Sequence, residues 1–172
     1  MASVLSVLTF PNPRLRRKAR PVRKFDGELA ALAEAMLATM YAEGGIGLAA
    51  PQVGQSRQLI VVDLNAGEED ESTREPRVYV NPAILEREGE LVTEEGCLSV
   101  PEFTAEVKRA QRIRLRYQTL EGEPREEALE ELAAVCLQHE IDHLKGKLFV
   151  DYLPPVKRQL VKKRLMKLAE SA

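Results

Sequence analysis

The chain has only two histidines, and both fall within CLQHEIDHLKG, residues 136–146. On an α-helix, positions i and i+4 share a face, so His139 and His143 can hold one metal ion as neutral imidazoles. Glu140 stands about 100° further round such a helix. It can reach a water on the ion without being a ligand. This is the H-E-x-x-H arrangement of metal-assisted hydrolysis. Counting back places Leu132, Cys136, His139 and His143 on one stripe, apolar up to the histidines, and that face is expected to point inward. Buried imidazoles need polar partners, and a metal ion supplies them. Two surface or capping histidines would need no such stripe.

A catalytic site of this kind takes a third protein ligand. Cys136 lies about 10.5 Å of helix rise from His143, too far for an ion held ~2 Å from both imidazoles. It reads as a small apolar wall residue. Cys97 sits in EEGCLSVPE, between a glycine and a proline, where irregular backbone could bring a thiolate to the helix face. A glutamate ligand is the alternative. A third feature is GGIGLAAPQVG, residues 44–54, with four glycines. Such backbone suits a close approach by something else, although a helix cap and turn explains it equally. It lacks the strand-then-helix context of a phosphate loop. Gln52 is its internal polar side chain, and a fixed amide can donate to an oxyanion.

These residues need a frame. FDGELAALAEAMLATMYAEGG reads as a helix capped by Asp26 and ended by Gly44-Gly45. Residues 57–64 and 77–85 read as strands, and residues 89–100 as a strand passing into irregular backbone. Ile113, Leu115 and Tyr117 alternate with Arg112, Arg114 and Arg116, as on a strand with one buried face. A helix then runs to Gly146. After Pro154 a basic helix, about 155–170, is expected to turn Leu160, Val161, Leu165 and Leu168 inward. The fold class is α+β: antiparallel or mixed sheets around a central metal-binding helix, with an N-terminal and a C-terminal helix.

At 172 residues, 44% hydrophobic and 30% charged, the composition is that of one soluble domain spanning 1–172. No apolar run approaches the ~18 residues of a membrane span. The opening MASVLSVLTFPNPRLRR is broken by proline and followed by its basic cluster, unlike a secretory signal, which points to a cytoplasmic protein. Two cysteines make no disulfide framework. The net charge of −2 conceals segregation. Residues 1–25 carry seven cations and no anion, and residues 155–172 carry six cations against Glu170. Basic ends suit nucleic acid or an acidic surface, or they are plain solvated faces.

Together, in this order, three segments resemble peptide deformylases. They are Gly45-Ile46-Gly47-Leu48-Ala49-Ala50-Pro51-Gln52, Glu95-Gly96-Cys97-Leu98-Ser99 and Gln138-His139-Glu140-Ile141-Asp142-His143-Leu144. The resemblance implies that Cys97, His139 and His143 hold one divalent metal: Fe²⁺ in many members, with Zn²⁺, Ni²⁺ or Co²⁺ as alternatives. It implies that a water on the metal attacks the formyl carbon of formyl-methionine, with Glu140 as general base and then acid. Gln52 and the Leu98 N–H would face the oxyanion. Ile46, Gly47, Leu132, Val135 and Cys136 would form the methionine pocket. The implied partners are N-formyl-methionyl nascent peptides, with ribosome association through the basic C-terminal helix, and the implied state is a monomer.

The chain also departs from the family pattern. Glu102 stands where many members have glycine, and an arginine found soon after in some relatives is absent from EFTAE. In PREEALEELAAV, propensity favours helix from about Pro124, whereas the family has a short strand before the helix; we expect the helix from about Glu130. Gln138 and Asp142 flank the ligands and could orient a histidine or serve the structure alone. A zinc endopeptidase shares H-E-x-x-H, but it would take a third histidine or a glutamate, and no third histidine exists here.

Overall fold

The computed structural model describes residues 3–171. The first long element is α1 (Gly27–Ala42). Asp26 caps it, accepting a hydrogen bond from Leu29 N at 3.1 Å. Leu29, Ala33, Met36 and Met40 recur at helical spacing and are buried. Gly44, at φ +74°, turns the chain out of the helix.

Seven strands follow: β1 (Gly47–Ala49), β2 (Leu59–Val62), β3 (Arg77–Glu88), β4 (Leu91–Cys97), β5 (Val100–Arg109), β6 (Arg112–Gln118) and β7 (Pro124–Glu130). Five form a sheet in the order β1-β2-β3-β6-β7, and β4 pairs with β5 alone. Every pairing among these strands is antiparallel. Two helices complete the chain, α2 (Glu131–Leu144) and α3 (Pro155–Ser171). The fold is α+β, with α2 packed against the larger sheet through Ala134, Leu137 and Ile141.

On β6 the alternation works as expected: Ile113 and Leu115 are buried, while Arg112, Arg114 and Arg116 are exposed. Those arginines also explain β7. PREEALE carries helix-favouring residues, yet it forms a strand. In the register, Glu130 pairs with Arg112 and Glu126 with Arg116. Completion of the β6 ladder, with opposite charges in register across it, outweighs propensity. The break between strand and helix falls at Glu131, whose φ is +53°. The helix thus starts one residue after the expected Glu130. The sequence reading did not separate β5 as a strand, although Ala105, Val107 and Arg109 are buried in alternation.

The C-terminal helix requires one correction. Val161 and Leu165 are buried, but Leu160 is 61% exposed. Leu160 lies one position from Val161, about 100° round the helix, so it cannot share the seam that Val161 and Leu165 make with β5 and residues 148–150. Near this seam Glu102 adopts φ +71°, and its carboxylate accepts from Arg164 Nε at 3.3 Å. Among the described residues no helix is long and apolar enough to cross a membrane.

The seam gives a direct test. Leu165→Ala should lower the unfolding free energy by about 2–5 kcal/mol, whereas Leu160→Ala should stay within about 0.5 kcal/mol. Urea melts of both variants, read by circular dichroism, would show equal losses if the helix were rotated differently.

Candidate active site

The site forms where α2 passes the end of β4 and the edge strand β1. Helix α2 buries Val135, Cys136, His139, Glu140 and His143. Cys97 ends β4, at a register shift between Gly96 and Cys97. That irregularity carries its sulfur to within 3.3 Å of His143 Nε2. His139 Nε2 lies 3.3 Å from the same nitrogen. All three donor atoms fall within 4.8 Å of one another.

These separations fit a metal ion. Ligand nitrogens about 2.0–2.1 Å from one ion, at tetrahedral angles, must stand about 3.3 Å apart. A thiolate with two imidazoles suits Fe²⁺, Zn²⁺ and their neighbours rather than Mg²⁺ or Ca²⁺. Cys136 is not in the group. Burial pushes its thiol well above the ordinary range, so it stays neutral and acts as wall.

The histidines are held differently. His139 Nδ1 lies 2.8 Å from Glu95 Oε1. Burial alone would raise the Glu95 pKa, but hydrogen bonds from Arg109 and His139 outweigh it and hold it at about 2. Glu95 is therefore a carboxylate and His139 Nδ1 the donor, which turns Nε2 toward Cys97 and His143. Burial opposes charge on His139, but its contacts with Cys97 and Glu95 outweigh that and raise its pKa. Burial pushes His143 well below its ordinary value. A cation among the three donors would replace the proton that His139 otherwise attracts.

Behind Glu95 stands Arg109. Its Nε and Nη2 reach the two Glu95 oxygens at 2.8 Å each, and Nη1 reaches Asp142 Oδ2 at 2.7 Å. The Tyr152 hydroxyl donates to the same Asp142 oxygen at 2.8 Å. Neither flanking residue of the helix motif touches a histidine. Asp142 supports Arg109, and Gln138 exchanges hydrogen bonds with the Ala110 N–H and C=O at 2.9 and 2.8 Å. Sequence reasoning missed Glu95 and Arg109 as supports. A usable signal existed: residues two apart on a strand share a face, so Glu95 follows Cys97 toward the helix.

Glu140 is 5% exposed, and its Oε1 has no partner among the described residues. Burial raises its pKa to about 7, with His139 pulling the other way. Gly47 explains how Glu140 fits. A Cβ there would come 2.6 Å from Glu140 Oε2 and 3.0 Å from Cys136 Sγ. Gln52 is buried in the 3-10 turn after β1, Ala50–Val53. Ala49 N donates to its Oε1 at 2.9 Å, which turns Nε2 toward Ser99 Oγ at 3.1 Å and Cys97 Sγ at 3.6 Å.

These groups line one cavity of about 680 Å³. Ile46, Gly47, Leu132, Val135 and Cys136 face it, as do Gln52, Cys97, Leu98, His139 and Glu140. His143 is outside its lining. Leu132 is 53% exposed, at the cavity mouth rather than on a fully buried stripe.

The α+β fold thus carries a candidate site for one metal ion beside a buried carboxylate, the set of groups that metal-assisted hydrolysis uses. The polypeptide deformylase family model matches residues 4–159. A peptide deformylase of Alkalilimnicola ehrlichii is 51% identical over 166 residues, covering 96% of this chain and 91% of that protein. One from Tolumonas auensis is 49% identical and covers 98% of both chains. The crystal structure of a peptide deformylase from Legionella pneumophila superposes with a TM-score of 0.89 at 43% identity, covering 98% of this chain and 96% of that one. The chain belongs to the polypeptide deformylase family and is an enzyme.

Arg109 should be the costliest of the supports to remove. Arg109→Ala would leave the Glu95 and Asp142 carboxylates without their buried counter-charge, and about 3–5 kcal/mol of stability should be lost. Urea unfolding at neutral pH measures this; a loss below about 1 kcal/mol would refute it.

Proposed function

We propose that this enzyme removes the formyl group from the N-terminal formyl-methionine of newly made polypeptides and releases formate. The observation that carries the reading is the meeting of Cys97, His139 and His143 within 4.8 Å, with Cys97, His139 and the buried Glu140 lining one cavity. Cys97, His139 and His143 would hold a divalent ion, Fe²⁺ first, with Zn²⁺, Ni²⁺ and Co²⁺ as alternatives. When bound, the ion supplies Lewis acidity and lowers the pKa of a water to near neutral.

The chain's own groups do the rest. Glu140 takes a proton from the attacking water and returns it to the leaving amine nitrogen. A carboxyl near pH 7 is well matched to both transfers. Gln52 Nε2, fixed by Ala49 N–H, and the Leu98 N–H donate to the carbonyl oxygen as it becomes anionic. Ile46, Gly47, Leu132, Val135 and Cys136 take the methionine side chain. β1 is the edge of its sheet, so a peptide can add beside residues 46–48 as an extra strand.

An endopeptidase reading has less support. Its third ligand would be a histidine or glutamate, and the third donor here is Cys97. As further parts of the proposal, residues 1–172 act as one catalytic domain, in the cytoplasm, as a monomer. The six cations of residues 155–172 would meet ribosomal phosphates.

The decisive test pairs anaerobic metal analysis with formate release from a formyl-methionyl peptide. Metal without formate would overturn the assignment. Glu140→Gln should keep its metal and lose about 10²- to 10⁴-fold in kcat; full activity in that variant would remove Glu140 from the mechanism. A chain ended at Pro154 should co-sediment less with ribosomes at low salt, and unchanged binding would sink the ribosome proposal.

A further inference from the structure

The N-terminal segment touches both sides of the oxyanion end of the site. Leu8 N donates to the Gln52 backbone oxygen at 2.7 Å, and Phe10 N donates to the Ser99 backbone oxygen at 2.8 Å. Gln52 follows β1 in the larger sheet, and Ser99 lies in the turn between β4 and β5. Two donors in alternate positions thus span the two sheets where they face each other. On the far side of the same residues the Gln52 amide reaches Ser99 Oγ and Cys97 Sγ. Three hydrogen bonds and the covalent stretch 8–10 thus close a ring through Gln52 and Ser99.

The segment is itself anchored. Phe10 is buried in the core that contains Val100, Val107 and Phe149, and Leu8 packs against that core. Leu5 packs on the core beneath α1, and its N–H donates to Thr39 Oγ1 at 2.7 Å. Gln52 and Ser99 are themselves 1% and 0% exposed. A shift of either backbone would move the amide relative to the sulfur, because their side chains meet directly.

We propose that residues 5–10 are a positioning strap, setting the Gln52 amide against the turn at residues 97–99. The role rests on the deformylase reading and deepens it. The strap touches no substrate; it acts through Gln52. Oxyanion donors work only when held at the developing charge, and losing one costs about 10²–10³ in kcat. Slackening one should cost about 10- to 100-fold, with KM nearly unchanged, because the methionine pocket lies on α2 and β1.

Two variants test this on the full enzyme. Deleting residues 2–9 leaves Met1 directly before Phe10 and so removes the Leu8 bond and the Leu5 anchor, and Leu8→Pro removes the single N–H. Deleting residues 2–4 is the control and should leave kcat unchanged. Each is made with and without Gln52→Ala, and metal content and formate release are measured. Expected are full metal content, a kcat loss in the wild-type background, and less than about a threefold further loss in the Gln52→Ala background. Equal losses in both backgrounds, no loss in either, or failure of both variants to fold would overturn the proposal. Absence of formate release by the unaltered chain would instead strike at the deformylase reading itself.

Discussion

One buried cation holds the site together. Arg109 on β5 grips Glu95 on β4 and Asp142 on α2, and Glu95 in turn orients His139. The small sheet and the helix thereby share one charge network. Its net contribution to stability need not be large, since burying charges costs much of what their attraction returns. Its gain is definition. A bidentate guanidinium–carboxylate pair admits few geometries, so it fixes which strand residue meets which ring nitrogen. The donor set depends on this. Without Glu95 in place, nothing selects the His139 tautomer that turns Nε2 toward Cys97.

The second constraint is steric. β1 crosses α2 so closely that Gly47 has Glu140 and Cys136 where a methyl group would be. The approach closes one wall of the cavity and removes water from around Glu140, and burial then lifts that carboxyl toward neutrality. Sequence, packing and proton affinity are linked here through one missing side chain. β1 is the edge of its sheet, so the backbone that confines Glu140 is also where the proposed peptide strand would add.

The histidine pair was legible because helical periodicity alone places both rings on a shared face, with Glu140 about 100° round from them. Cys136 was removed as a ligand by helix rise alone. Cys97 was favoured but not fixed by such reasoning: its place in an irregular stretch beside a glycine pointed to the sulfur, a glutamate stayed open as the alternative, and the family pattern chose between them. Glu95 and Arg109 were invisible as partners because they join residues on different elements, and no local period records such a pairing. β7 shows tertiary override, its backbone completing the β6 ladder, with Glu130 and Glu126 in register with Arg112 and Arg116, rather than forming a helix. Leu160 shows the limit of an apolar stripe on a surface helix, where one position decides between core and solvent.

Glu102 bears on how this sequence can change. It holds a left-handed backbone that costs a side-chain residue about 1 kcal/mol or more relative to glycine. Its carboxylate faces Arg164 on α3 across a half-exposed pair, which recovers little. The position is therefore a local stability reserve on the cavity wall. A lineage, or an engineer, could draw on it through a change to glycine without touching core or ligands. Were the glutamate kept under such drift, its charge beside the cavity would be what selection was preserving.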